Sequence, residues 1–255
     1  MIRLVDSHAH IYLDDFREDL NEVIDRAKEA GVERIHLPNI DHTSIEDMLR
    51  LADDFPGYCL PMMGLHPCSV EKNFEKELYE VEDYLSKGGF CAVGEMGTDL
   101  YWDKTYFEQQ KEAFKIQCDL AWKFKLPIVI HCRESIDETI ELVRPFTEKG
   151  LTGVFHCFTG TLEQAKQIIS LGFKLGLGGV ATFKKGGMEP VIRGIGLENL
   201  LLETDSPYLA PTPNRGKRNE PSYVGLVAAK IARELGKDQE EIGEITSSNS
   251  ITLFS

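Results

Sequence analysis

Eight short apolar, β-rich runs recur along the chain with helix-period segments between them, and this alternation restricts the fold more than any other property. The runs are Ile2–Val5, Ile35–Ile40, Tyr58–Leu65, Phe90–Glu95, Pro127–His131, Gly153–His156, Phe173–Leu177 and Leu200–Asp205. Asp14–Ala30 sets Phe16, Leu20, Val23, Ile24 and Ala27 at helical spacing and stops at Gly31. Thr105–Lys125, Ser135–Lys149, Leu162–Leu171 and Ser222–Leu235 repeat the pattern. No linker rich in Pro, Gly or Ser divides the chain, and no short repeat or low-complexity tract interrupts it. Eight strand–helix alternations in 255 residues predict an α/β chain folded as a single (β/α)8 TIM barrel, one domain over residues 1–255. A doubly wound open sheet is the alternative. It normally carries a glycine-rich nucleotide loop after its first strand, whereas Asp6-Ser7-His8-Ala9-His10 follows Val5 here.

Catalytic residues of such barrels gather where strands end, at the C-terminal mouth. Run one ends in His8 and His10, which strand geometry sends to the same face. Run four ends in Glu95, run five in His131, run six in His156 and run eight in Asp205. Each has a plainer reading taken singly. The histidine pair suits a polar N-terminus, His131 a satisfied core residue, Glu95 a helix cap, and Asp205 a cap before Pro207. Together they are six nitrogen or oxygen ligands at one mouth. Two carboxylates buried there without counter-charge are costly, and divalent cations remove that cost.

One cation with four imidazoles and two carboxylates would be overfilled for an open catalytic site. Two cations fit better, with Glu95 between them, His8, His10 and Asp205 on one, and His131 and His156 on the other. The set suits Zn, Mn, Co or Fe and tolerates Mg, so the expected cofactor is two divalent ions, Mg, Mn or Zn. Glu95 and Asp205 are the expected catalytic carboxylates, Asp205 accepting a proton from a water activated by the ions. His66 ends run three at the same mouth and is expected to contact a ligand or the substrate. His36 and His42 read as structural.

The formal net charge is −14, which excludes long-range attraction to a polyanion as a bulk property. Nucleic-acid contact must then come from a local patch or bound cations. Arg215-Gly216-Lys217-Arg218, after the last run, sets three cations beside the mouth, and Arg133 lies two residues beyond His131. Arg133, Arg215, Lys217, Arg218 and His66 are therefore the expected substrate contacts. Tyr101, Trp102 and Phe183–Lys185 are candidate platforms for an unpaired base. One small patch on an acidic protein predicts action on a strand end or single strand rather than along a duplex. Six cysteines lie scattered with no C-x-x-C pair, no secretion signal precedes the first run, and no apolar stretch approaches the ~18 residues of a membrane span. These features predict a cytoplasmic chain with reduced thiols, no membrane partner, and a monomeric or weakly oligomeric state.

With these residues in place the chain resembles the TatD family of metal-dependent deoxyribonucleases, within the amidohydrolase-like barrels. The resemblance rests on DSHAH, GLHP, GEMGTD, IHCRES, HCFTG, ETDSPYLAP and RGKRNEP, which run nearly end to end. It implies a (β/α)8 barrel with a two-metal centre on His8, His10, Glu95, His131, His156 and Asp205, and 3′-to-5′ exonuclease activity on a strand that is DNA. Three places depart from the family pattern. Thr98 stands where Leu is usual, Asn214 where His is common, and residues 246–254 hold small polar residues in place of basic ones while keeping Asn249 and Leu253-Phe254. An amidohydrolase or esterase acting on a small acyl substrate is the rival enzyme class, since the same hydroxide attacks carbonyls. The basic loop favours phosphodiesters over that rival. A non-enzymatic, metal-stabilised module is disfavoured by the ligand count, because structural sites are closed.

Overall fold

The computed structural model describes residues 2–255. Eight parallel strands follow in order: β1 (Leu4–Asp6), β2 (Val32–Pro38), β3 (Cys59–Met62), β4 (Val93–Asp99), β5 (Ile128–Arg133), β6 (Gly153–Phe155), β7 (Lys174–Leu177) and β8 (Leu200–Leu202). Regular ladders join β1-β2-β3 and β4-β5-β6-β7-β8. Two looser seams complete the ring. At one, Ser7 N–H donates to Leu202 O (3.0 Å), Asp205 N–H to His8 O (2.9 Å) and His10 N–H to Ser206 O (2.8 Å). At the other, Met63 N–H donates to Ala92 O (3.2 Å) and Gly94 N–H to Met63 O (3.0 Å). The result is the eight-stranded α/β barrel that the alternation predicts.

Helices α1 (Leu20–Glu29), α2 (Ile45–Asp54), α3 (Phe74–Lys87), α4 (Phe107–Phe124), α5 (Ile136–Thr147), α6 (Leu162–Ser170), α7 (Glu189–Gly194), α8 (Val224–Leu235) and α9 (Gln239–Leu253) fill the intervals. None of them is long and apolar enough to cross a membrane. α1 begins six residues later than its apolar spacing suggests, because Asp19, just before it, is non-helical and accepts from Arg218, far along the chain, and from Arg26 of the helix itself. α2, α3, α7 and α9 were not singled out by periodicity. α9 crosses the lower end of the barrel. There Asn249 Nδ2 donates to Leu197 O and Leu200 O, and Phe254 packs with Met62, Ala92, Val129, Val154 and Leu201. His36 is buried against Phe254, and His42 pairs with Glu77 on the surface, so both lie outside the mouth.

Period-two alternation explains how side chains reach that mouth. Val129, Val154 and Leu201 belong to the inner cluster, while Ile128, Ile130, Phe155, Leu200 and Leu202 belong to the layer shared with the helices. Two steps further along each strand direction come His131 from Val129, His156 from Val154, and Glu203 then Asp205 from Leu201. β1 instead loses register below its histidine pair, between Leu4 and Val5, and β4 loses it across Glu95, between Val93 and Met96. Such irregularities re-aim a side chain. Glu95 is accordingly not at a strand end, as its run suggested, but inside β4, which continues to Asp99.

Gly97 shows how closely β4 approaches β5. It has φ +154°, and an added Cβ would meet His131 O at 1.8 Å. Gly97→Ala must push the His131 backbone away, and is expected to cost about 2–3 kcal/mol, or roughly 5–10 °C in thermal midpoint. Thermal unfolding followed by circular dichroism checks this; an unchanged midpoint would mean that the strands separate freely.

Candidate active site

Glu95 is the hub of the mouth, 2% exposed, and its two oxygens divide the surrounding histidines. Oε2 lies 3.1 Å from His8 Nε2 and 3.4 Å from His10 Nε2. Oε1 lies 2.9 Å from His131 Nδ1 and 2.7 Å from His156 Nε2. Asp205 Oδ1 stands 3.7 Å from both His8 Nε2 and His10 Nε2. The His8 and His156 rings stack at 3.8 Å, so the two halves touch. All six residues read as ligands are thus brought together.

Hydrogen bonds outside the cluster set the imidazole tautomers. Tyr12 gives its hydroxyl proton to Pro38 O at 2.6 Å, so toward His10 Nδ1, 2.8 Å away, it can only accept. His10 Nδ1 therefore carries the proton, and bare Nε2 faces the cluster. Asp99 Oδ2 accepts a hydrogen bond from His131 Nε2–H at 2.9 Å, so in the neutral ring Nδ1 is bare toward Glu95. Glu203, fully buried, lies 3.5 Å from His156 Nδ1 and accepts the Cys157 N–H. His66 is arranged oppositely. Its Nδ1 accepts Cys68 N–H at 3.0 Å, so its proton is on Nε2, 3.4 Å from Glu95 Oε1. His66 is a donor at the edge of the cluster, suited to an oxygen rather than an ion.

The cluster is thus rich in lone pairs and poor in cations. Among the described residues no Lys or Arg pairs with Glu95, Asp205 or Glu203. Protonation shows the same excess. Burial pushes His156 down, yet Glu95 and Glu203 hold it well above its ordinary value. Burial raises Glu95, but His156, His66 and His8 hold it well below the usual carboxylate range. Burial lifts Asp205 to about 6 against the pull of His156 and His10. A divalent cation acts on the carboxylates in the same sense as those imidazolium charges, without needing a proton between facing lone pairs. Three ligand groupings have donor atoms all within 4.8 Å of one another: His8, His156 and Asp205; His8, His10 and Glu95; and His66, Glu95 and His131. The donor chemistry therefore fits metal binding, with the tautomer of His66 setting it apart.

A cavity of about 730 Å3 opens over the cluster, and Arg133, His66, Trp102 and Tyr208 are among its walls. Arg133 is exposed, its guanidinium 3.6 Å above the Tyr101 ring, and among the described residues no carboxylate pairs with it. Arg215, Lys217 and Arg218 do not line this cavity. Arg215 lies over Phe183 at 4.4 Å, and Lys217 is exposed. Arg218 is engaged elsewhere. It forms two 2.7 Å bonds to the Asp19 carboxylate, which falls to about 2, and packs over Phe16. The next two residues also serve the architecture. Asn219 Nδ2 donates to Thr204 O and Tyr208 O, and Glu220 receives a forked pair from Arg26. Arg218, expected as a substrate contact, thus has its guanidinium on Asp19, and the second half of RGKRNEP pins its loop to the start of α1.

Tyr12, Asp99 and Glu203 were missed as functional candidates. Each lies in or beside a motif that holds a proposed ligand, with Tyr12 two positions after His10. That spacing was the available signal. Thr98, where Leu is usual, sits in a buried hydroxyl cluster, its Oγ1 2.8 Å from Ser135 Oγ and 2.7 Å from Thr139 Oγ1, while those two hydroxyls also donate to Thr98 O and Ser135 O.

A parallel barrel with histidines and carboxylates converging at its mouth has the construction of a metal-dependent hydrolase, and comparison with known proteins agrees. The sequence profile of the family described as TatD related DNase matches residues 5–255. YabD of Bacillus subtilis strain 168, an uncharacterized metal-dependent hydrolase, is 37% identical over 252 residues, 98% of each chain. The 3′-5′ ssDNA/RNA exonuclease TatD of Edwardsiella piscicida is 31% identical over 257 residues, 98% of this chain and 99% of its own. The crystal structure of YjjV, a TatD homolog from Escherichia coli K12, matches with a TM-score of 0.93 at 30% identity, covering 99% of this chain and 98% of that one. The protein is a metal-dependent hydrolase. It belongs to the TatD-related DNase family.

Tyr12→Phe keeps the ring but removes the acceptor that holds His10 Nδ1–H. Loss of such an orienting partner is expected to weaken divalent-metal affinity about 10–100-fold. Competition with a chelating dye measures it, and unchanged affinity would mean that Tyr12 does not set the tautomer.

Proposed function

We propose that this hydrolase is a divalent-metal-dependent nuclease that removes nucleotides from the 3′ end of single-stranded or frayed DNA. One observation carries the reading: Glu95 faces two opposed sets of histidines in a cluster without fixed cations, while the unpaired Arg133 stands over the same cavity. The name of the Edwardsiella relative supports the polarity and the single-stranded substrate. His8, His10 and Asp205 would hold one ion, His131 and His156 a second, and Glu95 would serve both. When bound, such ions supply an activated water and neutralise charge on the phosphoryl oxygens. We propose residues 1–255 as one domain acting in this way.

The chain's own residues do the rest. Arg133, clamped by its face on Tyr101, keeps its N–H edge free to hold a phosphate oxygen in the forked manner of guanidinium. His66 Nε2–H, beside the His131 ring, donates to another oxygen. Asp205 accepts a proton from the attacking water and returns it to the leaving oxygen; cations beside it pull its affinity for that proton down from the raised value set by burial. Arg215 and Lys217, outside the cavity, would meet the strand further from the scissile bond.

A matrix of metals and substrates on chelator-treated protein tests the reading. With Mg, Mn or Zn restored, 5′-labelled single-stranded DNA should shorten one nucleotide at a time, and Glu95→Ala should abolish this while the circular dichroism spectrum stays unchanged. Hydrolysis of small esters with no cleavage of DNA or RNA under any ion would replace it with the acyl-substrate reading.

The two arginines should separate cleanly. Arg133→Ala removes a charge-assisted contact, so KM for single-stranded DNA should rise about 10–100-fold and the slope of log K against log salt should fall by roughly 0.7. Arg218→Ala should leave that slope alone and lower the thermal midpoint. A salt slope that responds to Arg218 and not to Arg133 would reverse the assignment.

A further inference from the structure

Exposed large apolar side chains are few among the described residues: Tyr79, Tyr101, Trp102, Trp122, Tyr208 and Leu209. Four of these six crowd one place. Trp102, Tyr208 and Leu209 line the cavity over the cluster, and Tyr101 carries Arg133 at its edge. An apolar rim on an acidic protein's active-site mouth needs a ligand to explain it. Trp102 is 69% exposed, yet its backbone is held, because Asp99 Oδ1 accepts the N–H groups of Tyr101 (2.8 Å) and Trp102 (3.1 Å). The other oxygen of the same carboxylate holds His131. One side chain thus fixes both a cluster histidine and the loop that presents the indole. The Arg133 guanidinium lies 5.5 Å from the Trp102 ring centre, so a phosphate on the one and a base on the other fall within one nucleotide of each other.

We propose that Trp102 is the stacking platform for an unpaired base beside the scissile phosphate, and that this contact selects strands whose terminal bases are free to leave the duplex stack. The inference rests on the nuclease reading and names the part of the substrate that the cavity recognises. A base inside a duplex keeps its faces against its neighbours and can offer none to the indole, whereas a single-stranded end can. Stacking on an aromatic side chain tolerates any base, so the selection is for strandedness and not for sequence. Tyr208, on the opposite wall, meets His10 edge-on at 6.2 Å and lacks a neighbouring cation, which makes it the weaker candidate.

Two oligonucleotides of equal length and charge test the proposal, one with all its bases and one with abasic sugars in its last two 3′ positions. Wild-type enzyme should favour the first about 10–100-fold in kcat/KM. Trp102→Ala should lose most of that preference by falling on the normal substrate alone, and Trp102→Phe should keep it. In a Trp122→Phe background, the normal single strand should quench Trp102 fluorescence in chelated protein, a readout that needs no turnover. Equal use of both oligonucleotides by wild-type enzyme overturns the inference and leaves the nuclease reading standing. So does a preference that survives Trp102→Ala and disappears in Tyr208→Ala. Wild-type protein that cuts neither removes both.

Discussion

The structure depends on a carboxylate that cannot stand alone. Glu95 is buried with histidines on both of its oxygens and no permanent cation beside it. Removing such a charge from water costs several kcal/mol even after relaxation. Protons on the imidazoles offset part of that cost, but the bare nitrogens of His10 and His131 face it with lone pairs. Divalent metal would answer the whole arrangement at once, and under the proposed function the same positive charge serves a phosphodiester. Stability and chemistry therefore place the same demand on one group.

A barrel meets that demand because it makes a closed wall out of local rules. Straight alternation delivers His131, His156 and Asp205, while register breaks in β1 and β4 turn the histidine pair and Glu95 inward. Both loose seams of the ring run through this region. At the seam between β1 and β8, buried Asp6 accepts Thr204 N–H (2.9 Å), Thr204 Oγ1–H (2.6 Å) and His8 N–H (3.3 Å), tying the segments that carry His8, His10 and Asp205 with one carboxylate. Around the outside, Tyr12 and Asp99 hold the His10 and His131 imidazoles by their far nitrogens, and Glu203 lies 3.5 Å from that of His156. These supports come from three segments, after β1, at the end of β4 and just after β8.

Much of this was legible in the sequence, and for a definite reason. Ligands at strand ends follow from a period of two and the position of the turn, both local properties; hence six scattered residues could be assigned to one mouth. Arg218 could not be read that way. Its partner Asp19 is 199 residues away in the chain, so a cation that looked free from its neighbours is bound in space. The register breaks were equally invisible, since a bulge depends on the partner strand, and Glu95 came out at the mouth although its strand continues past it. Asn249 and Phe254 were noticed only as retained family positions; their meaning, a clasp on β8 and a plug in the barrel floor, needed the third dimension.

The most direct measurement is anomalous diffraction from crystals of the protein grown with manganese. The account predicts two peaks flanking Glu95, one on the side of His8, His10 and Asp205 and one on the side of His131 and His156. Density that shows these side chains ordered in their present places, with no anomalous peak among them, would contradict it.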